Sequence, residues 1–204
     1  MASASPTPSR SEAPVRPETG LLLLSGGQGR RMGAPKHSLA HPLGGTWGGH
    51  LVGVFESLWP EGPIVLLGEP LPDRPGLPVL RDRREGPAVA LRDWCASPTL
   101  EADRWWVVAC DQARWTPARL AAWFRRVETA DPAAAHWVLA VHGGRLQPLG
   151  GFLAAGLRPA LAAATEGSLT ALAQTVPHLV LPVDGPEWLD LDTPEERRVF
   201  EAER

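Results

Sequence analysis

Residues 21–36 read LLLLSGGQGRRMGAPK and combine an apolar run with a glycine-rich loop. Four consecutive leucines predict a buried strand that runs directly into a loop with four glycines in eight positions. Because glycine lacks a Cβ, the backbone N–H groups of such a loop can crowd around an anion. Arg30, Arg31 and Lys36 add positive charge that suits a polyphosphate. The stretch therefore predicts a phosphate-binding turn after the first strand, with a flexible turn and solvated arginines as the simpler alternative.

Two common phosphate-binding motifs do not fit this loop. A Walker A loop has four residues between its glycines and a lysine directly after the second, whereas five residues separate Gly27 from Gly33 and Lys36 follows three positions later. A Rossmann fingerprint has the spacing G-x-G-x-x-G, whereas Gly27, Gly29 and Gly33 give G-x-G-x3-G. The acidic residue expected about 20 positions later is also missing, since none follows until Glu56. Neither a P-loop NTPase nor a Rossmann dehydrogenase is favoured.

Lys36 is the single lysine among 20 basic residues, and the other 19 are arginines. Lysine carries a compact point charge on a flexible stem, whereas arginine carries a wide planar fork. Its position just after the glycine loop indicates a role for that compact charge, although chance retention would also explain it.

The charge balance excludes several classes of partner. The chain has 20 basic and 23 acidic residues mixed along its length, for a net charge of −3. A general binder of nucleic acid or of anionic membranes would show an excess of basic residues. We therefore expect no nucleic-acid partner and no membrane partner.

The first 19 residues predict a disordered leader, and residues 20–204 predict one folded domain. Four prolines, four serines and no apolar stretch lie in residues 1–19, which therefore lack the apolar region of a secretory signal. Cys95 and Cys110 are the two cysteines, too few for a disulfide framework and without zinc-ligand spacing. These features favour a reducing compartment, and we expect a cytoplasmic protein.

From residue 20 onward, apolar strands alternate with helical patterns. Strands are predicted at 21–24, 64–67, 79–80, 105–109, 137–141, 147–153 and 179–183, and helices at 51–58, 87–94, 117–127, 159–164, 169–175 and after Thr193. Continuous rather than alternating apolar strands indicate burial on both faces, as in a parallel or mostly parallel sheet flanked by helices. Ligands of such α/β sheets bind beyond the carboxyl ends of the strands.

The loop pattern L-x-G-G-x-x-x-R-M-G-x-x-K, from Leu24 to Lys36, resembles the signature of sugar-nucleotide and cofactor nucleotidyltransferases. Within that superfamily the chain is most similar to the molybdenum cofactor guanylyltransferases. The resemblance implies a three-layer α/β/α, Rossmann-like nucleotidyltransferase domain with a mostly parallel central sheet over residues 20–204. It also implies that Leu24, Ser25 and Gly26 contact GTP through the loop backbone and that Lys36 contacts the phosphates. Gly27 and Arg31 complete the predicted nucleotide-binding loop.

Asp111 is the predicted Mg2+ ligand and, with Lys36, one of two predicted catalytic residues. It follows an apolar strand at the ligand edge of the sheet, and Mg2+ is normally held by one or two carboxylates plus substrate phosphates. Cys110-Asp111 resembles the metal-binding Cys-Asp step of the family, which usually continues with Met-Pro or Thr-Pro. Here Gln112-Ala113 follows instead, and Asp111-Gln112 resembles the Asp-Gln step of the related cytidylyltransferases. A helix-capping aspartate before Thr116 is the alternative.

Asp82 follows the third predicted strand and matches an acidic residue that contacts the nucleotide in the family. A carboxylate can accept hydrogen bonds from the N1–H and the 2-amino group of guanine, but also from sugar hydroxyls. Because Asp82 lies among Arg81, Arg83 and Arg84, a solvated ion-pair cluster is the alternative. The segment Gly86 to Leu91 resembles a diverged turn of the same family.

Asp192 is the second predicted metal ligand. Residues 190–196, DLDTPEE, resemble an Asn-x-Asn-Thr-Pro-Glu segment of the family, and alternation along a strand would place Asp190 and Asp192 on one face. The aspartates also occur in the cytidylyl relatives. Helix capping alone explains the Thr-Pro-Glu-Glu portion.

The resemblance implies transfer of GMP from GTP to molybdopterin, with Mg2+ as cofactor and pyrophosphate as product. Gln147-Pro148-Leu149 matches a stretch near the acceptor pocket of the guanylyl branch, and Gly26-Gly27 also favours GTP. The alternatives are a cytidylyltransferase that uses CTP and an accessory protein that binds nucleotide without catalysis. Transient contact with molybdenum cofactor biosynthesis proteins or molybdoenzyme chaperones is expected. Most of the nine tryptophans are predicted in the core, with Trp47 as the candidate beside a flat ligand.

Overall fold

The structure, a computed structural model, describes residues 19–27, 29, 32–97 and 101–202. Residues 1–18 of the predicted leader lie outside this range. The first strand begins at Thr19, one residue before the predicted start of the domain, and Thr19 is fully buried opposite Arg104.

Seven strands and six α-helices form the described part of the chain. The strands are β1 (Thr19–Leu24), β2 (Ile64–Leu67), β3 (Val79–Leu80), β4 (Arg104–Ala109), β5 (Trp137–His142), β6 (Arg145–Ala154) and β7 (His178–Val183). The helices are α1 (Trp47–Glu56), α2 (Pro87–Ala96), α3 (Pro117–Ala130), α4 (Arg158–Ala163), α5 (Leu169–Gln174) and α6 (Pro194–Ala202). Every predicted strand and helix is present, with boundaries that shift by a few residues.

The strands form one sheet in the order β3-β2-β1-β4-β6-β5-β7. Strand β1 pairs in parallel with β2 and β4, β2 with β3, and β5 with β7. Strand β6 alone runs antiparallel, between β4 and β5. The predicted mostly parallel sheet is therefore confirmed, and β6 is its exception.

Helices cover both faces of the sheet, which confirms the three-layer α/β/α architecture. One apolar core lies between the sheet and helices α1 and α3, and the other between the sheet and helices α2, α4 and α5. Strands β1 and β4 contribute buried residues to both cores, because consecutive side chains point to opposite faces. Within the described residues no helix is long and apolar enough to cross a membrane.

Helix α1 begins at Trp47, four residues earlier than predicted, because Thr46 caps it. The Thr46 hydroxyl accepts a hydrogen bond from the backbone N–H of Gly49 (3.0 Å), and Asp73 in turn accepts from the backbone N–H of Thr46 (2.8 Å). The prediction that Trp47 lies near a flat ligand is wrong. Its side chain is fully buried at the start of α1 and packs near Phe200 of α6.

Candidate active site

A cleft of about 910 Å³ lies at the carboxyl ends of β1, β2 and β4, where ligands of parallel sheets bind. Six of the eight predicted binding residues line it: Leu24, Gly26, Gly27, Lys36, Asp82 and Asp111. Arg31 is outside the described residues. Ser25 does not line the cleft.

The Ser25 side chain instead anchors the glycine loop to the neighbouring strand. It is fully buried, its hydroxyl donates to the backbone oxygen of Glu69 (2.7 Å), and its backbone N–H donates to the carbonyl of Leu67 (2.8 Å). These bonds fix where the chain leaves β1 and turns into the loop. Any contact of Ser25 with a nucleotide would therefore have to come from its backbone.

Lys36 brings two predicted metal ligands together. Its Nζ lies 2.9 Å from Oδ2 of Asp111 and 2.5 Å from Oδ1 of Asp192, which are 75 and 156 residues away in the sequence. Burial disfavours the charged amine, but the two carboxylates outweigh that effect and raise the pKa of Lys36. The side chain of Asp192 is the more open of the two carboxylates, at 54 % exposed against 22 % for Asp111.

Asp190 and Asp192 do not lie on a strand, so the predicted strand alternation is wrong for this segment. It follows a 3-10 turn at Pro186–Trp188, and the backbone N–H of Leu191 donates to the carbonyl of Asp111 (3.0 Å). Partial burial, followed by the negative charges of Asp111 and Asp192, raises the pKa of Asp190 to about 6.

Helix capping positions Asp192, as the Thr-Pro-Glu-Glu pattern predicts. The Thr193 hydroxyl accepts from the backbone N–H of Glu196 (3.2 Å), while the Glu196 carboxylate accepts from the backbone N–H groups of Thr193 and Asp192 (2.8 Å each). The capping box thus holds the residue that contacts Lys36. The capping and metal-ligand interpretations of this segment are compatible.

The donor set at Asp111 and Asp192 fits a hard divalent cation. Oδ1 of Asp111 is buried without a hydrogen-bond partner among the described residues, and carboxylate oxygen is the ligand that Mg2+ prefers. No group of three or more histidine, cysteine or acidic side chains in the described part of the chain is arranged to hold a metal. A metal here would therefore need phosphate oxygens or water to complete its coordination.

Asp82 forms the opposite wall of the cleft. Its Oδ1 accepts a hydrogen bond from the backbone N–H of Arg84, and a Cβ on Gly26 would lie 2.7 Å from its Oδ2. The neighbouring arginines form ion pairs with other acids, Arg83 with Asp93 and Arg84 with Glu69. The backbone N–H of Arg84 therefore holds the Asp82 carboxylate beside Gly26 of the glycine loop.

Several cleft residues lack a clear sequence signal. His37, Glu69 and Arg84 line the cleft, and burial lowers the pKa of His37. Arg84 has a φ of 63°, which is unusual for a residue with a side chain. His37 could have been selected only because it follows Lys36, and Glu69 only because it lies just after a predicted strand. No sequence signal indicates Arg84. Leu149, from the predicted acceptor stretch, also lines the cleft.

Comparison with known proteins gives one family and many similar structures. The sequence profile of the MobA-like NTP transferase domain matches residues 21–186. No curated protein matches the chain.

Three solved structures illustrate the likeness of fold. Molybdopterin-guanine dinucleotide biosynthesis protein A from Archaeoglobus fulgidus is 16 % identical, with a TM-score of 0.66 over 90 % of this chain and 97 % of that one. The 2-C-methyl-D-erythritol 4-phosphate cytidylyltransferase from Thermus thermophilus is 15 % identical, with a TM-score of 0.66 over 91 % and 98 %. Rv0371c from Mycobacterium tuberculosis H37Rv, solved as a complex with manganese, is 19 % identical, with a TM-score of 0.63 over 92 % and 100 %.

At such low sequence identity, the TM-scores show a shared fold and no more. The family profile, in contrast, matches the sequence itself over most of the chain. The glycine loop, Lys36 and Asp111 lie within the matched residues. The chain therefore belongs to the MobA-like NTP transferase family of nucleotidyltransferases.

Proposed function

We propose that this protein transfers GMP from GTP to the terminal phosphate of molybdopterin and releases pyrophosphate, with Mg2+ as cofactor. The observation that carries the proposal is the meeting of Lys36, Asp111 and Asp192 at a cleft bordered by the glycine loop. Positive charge, oxygen ligands and a phosphate-binding turn are the three components that transfer of a nucleotidyl group needs.

The reaction requires no protein nucleophile. A phosphate oxygen of the acceptor attacks the α-phosphorus of GTP, the bond to the bridging oxygen breaks, and the electron pair leaves with pyrophosphate. Cys110 lines the cleft, but burial raises the pKa of its thiol well above the usual value, so a thiolate is not available. The protein therefore acts by positioning and by charge stabilisation.

The glycine loop, Lys36 and two carboxylates have separate parts in the proposed reaction. The backbone N–H of Gly26 donates to the carbonyl of Leu67 (3.1 Å), so the N–H of Gly27 is the one that would face the triphosphate, and Lys36 would stabilise charge that develops on it. Asp111 and Asp192 would hold the Mg2+. When bound, the ion polarises phosphoryl oxygens and lowers the cost of the developing charge.

Two carboxylates of the cleft favour guanine as the base. Guanine presents an N1–H and a 2-amino group along one edge, and Asp82 and Glu69 both line the cleft as acceptors. Cytosine presents a single amino donor on the corresponding edge. One oxygen of the Asp82 carboxylate accepts a hydrogen bond from the backbone N–H of Arg84, and the other oxygen would accept from the base.

CTP is the second candidate substrate. Gln112-Ala113 follows Asp111, where the guanylyl branch usually has Met-Pro or Thr-Pro. Asp190 and Asp192 replace the asparagines of that branch. The cytidylyltransferase from Thermus thermophilus shares the fold at the same TM-score as the archaeal guanine dinucleotide biosynthesis protein. An accessory protein that binds nucleotide without catalysis is the third candidate.

Calorimetric titration with GTP, CTP and ATP, each with Mg2+, tests the proposal. We expect GTP to bind most tightly, and we expect Asp82→Asn to weaken GTP binding by about tenfold or more, since a hydrogen bond to a charged group is lost. Asp184→Asn, which changes an exposed carboxylate after β7, is the matched control and should bind GTP normally. A preference for CTP would move the protein to the cytidylyl alternative. Binding without pyrophosphate release in the presence of molybdopterin would identify an accessory protein.

The remaining expectations follow from the same assignment. We place the protein in the cytoplasm, where transient contacts with molybdenum cofactor biosynthesis proteins or molybdoenzyme chaperones would deliver and collect the cofactor.

A further inference from the structure

Lys36 lines the cleft, but its charge is paired with the two carboxylates that are proposed to hold the metal. Its Nζ is bound to the carboxylates of Asp111 (2.9 Å) and Asp192 (2.5 Å), and its side chain is only 18 % exposed. These two acids belong to different segments, one after β4 and the other before α6. The ammonium is thus the bridge between them.

A divalent cation bound to both carboxylates would occupy nearly the same place. Mg2+ lies about 2.1 Å from its oxygen ligands, and the ammonium already lies within hydrogen-bond distance of the same two groups. A metal ion and an ammonium that both contact the same two carboxylates would lie close together, and two positive charges repel each other strongly in a partly buried site. The metal and Lys36 therefore compete for Asp111 and Asp192.

We propose that Lys36 serves as a built-in counter-ion for Asp111 and Asp192, and that metal binding displaces it from these carboxylates toward the triphosphate. This inference rests on the proposed function, because it takes the two acids as the metal-holding groups. The free protein then binds metal weakly, since the ion must first displace a bound charge. Metal and triphosphate bind with positive cooperativity, because the triphosphate offers the displaced ammonium a new partner.

The described residues offer the metal little help of their own. They contain no third acidic, histidine or cysteine side chain arranged with the pair to hold an ion. Water or phosphate oxygens must complete the coordination of the metal, and a bound triphosphate would supply the phosphate oxygens, which is a second reason for metal and triphosphate to bind together.

Manganese(II) binding to the nucleotide-free protein tests the competition directly, with electron paramagnetic resonance of the free ion as the readout. Lys36→Met removes the charge and keeps a chain of similar length, and we expect it to bind Mn2+ at least about tenfold more tightly than the unmodified protein. Lys36→Arg keeps a positive charge and should show no such gain. Arg125→Met removes a positive charge from the exposed face of α3 and should also show no gain.

Equal Mn2+ affinity of Lys36→Met and the unmodified protein would overturn the inference, including the case in which neither binds the ion. An equal gain in Arg125→Met would overturn it too, because the effect would then come from net charge alone. Both measurements omit nucleotide and acceptor. A protein that prefers CTP, or that has no transferase activity, would therefore give the same manganese result, and failure of the proposed function remains a separate outcome.

The single lysine allows a second measurement on the native sequence. Incorporation of ¹³C-labelled lysine leaves the side chain of Lys36 chemically unchanged and gives a single lysine signal. We expect Asp192→Asn to shift this signal without metal, and we expect Mg2+ alone to shift it at high concentration. Asp184→Asn should leave it unchanged. A lysine signal that responds to neither Asp192→Asn nor Mg2+ would contradict the counter-ion role.

Discussion

At the scale of single residues, the environment of Lys36 explains why a chain rich in arginine keeps one lysine. A compact ammonium fits between the carboxylates of Asp111 and Asp192, whereas a guanidinium is wider and prefers to pair in a planar fork. The same compact charge can move a short distance on its flexible stem to reach a phosphate. The residue type is thus matched to both of its proposed positions.

Lys36→Ala should lower turnover by about 10²- to 10³-fold, since a group that is proposed to stabilise transition-state charge is lost. Steady-state pyrophosphate release measures the effect, and circular dichroism should show an unchanged fold. Arg125→Ala, an exposed cation on α3, is the matched control and should turn over normally. A near-normal rate in Lys36→Ala would remove the lysine from the catalytic assignment.

Gly26 is required because the Asp82 carboxylate lies directly over it. The methyl group of Gly26→Ala would lie 2.7 Å from Oδ2 of Asp82, whose other oxygen is held by the backbone of Arg84. We expect about tenfold weaker GTP binding, because the carboxylate that is proposed to read the base must move, at a cost of about 1.4 kcal/mol. Calorimetry measures the change. Gly76→Ala, where a Cβ would meet nothing, should bind GTP normally.

Among the residues of the cleft, those that follow predicted strands were easier to predict from the sequence than those that other segments bring to the cleft. Lys36 and Asp111 could be selected from composition and from strand ends. Asp192 was predicted from a family resemblance, because its contact with Lys36 spans 156 residues and depends on the entire tertiary fold. Arg84 could not be predicted, since its ion pair with Glu69 and its positive φ arise from the loop that joins β3 to α2.

At the scale of elements, a cluster of tryptophans fixes the irregular part of β6. The indole N–H groups of Trp106 and Trp123 both donate to the carbonyl of Gly150, at 3.1 and 3.0 Å. Trp188 packs edge-on against Trp115 and Trp123. Because Trp188 comes just before the segment of Asp190 and Asp192, this cluster connects the strand that carries Leu149 to the segment that carries the proposed metal ligand Asp192.

Gly150→Ala should destabilise the protein by about 2–4 kcal/mol, from positive-φ strain and overpacking together. Gly150 has a φ of 82°, and its added Cβ would lie 2.6 Å from the ring of Trp188. Denaturant unfolding measures the loss. Gly156→Ala, where no atom lies within 4 Å of the added Cβ, is the control and should be far less destabilising. An unchanged midpoint for Gly150→Ala would contradict the packing described for this cluster.

Asp131 joins the end of α3 to the start of β5. Its buried carboxylate accepts from the backbone N–H groups of Ala135 and His136 (3.0 Å each), and the His136 ring nitrogen Nδ1 lies 3.0 Å away. Burial alone would favour the neutral form, but these hydrogen bonds outweigh it and lower the pKa of Asp131 below its usual 3.8.

The stability that Asp131 contributes should therefore disappear in acid. A depressed pKa in the folded state means that the contribution is fully present well above the ordinary aspartate pKa and is lost as the pH falls through the lower, folded value. We expect Asp131→Asn to cost about 2 kcal/mol at pH 7 and to lose less stability than the unmodified protein between about pH 5 and pH 2. Urea unfolding across this range measures both effects. Parallel pH profiles for the two proteins would refute the role of the ionised carboxylate.

The elements were predictable from sequence, but the pairing of β6 was not. Apolar runs and capping residues predicted every strand and helix, and Ser168 caps α5 as expected. Nothing in the alternation of β5 and β6 showed that β6 inserts antiparallel between β4 and β5. Strand order depends on contacts between distant segments, and periodicity within one segment does not report these contacts.

At the scale of the whole molecule, the sheet brings together four segments that are far apart in the sequence. The glycine loop follows β1, Glu69 follows β2, Asp82 follows β3 and Asp111 follows β4. These strands are adjacent and parallel, so their carboxyl ends meet at one edge. The cleft is therefore a consequence of topology, and its chemistry depends on the residues that follow each strand.

At this scale we propose that the cleft transfers GMP from GTP to molybdopterin. The most direct test supplies purified protein with molybdopterin, Mg2+ and equal concentrations of GTP, CTP and ATP, and identifies the dinucleotide product by mass spectrometry. We predict the guanine dinucleotide, with one pyrophosphate released per product and almost none formed by Lys36→Ala. A cytosine dinucleotide, or no dinucleotide from protein that binds GTP, would contradict the claim.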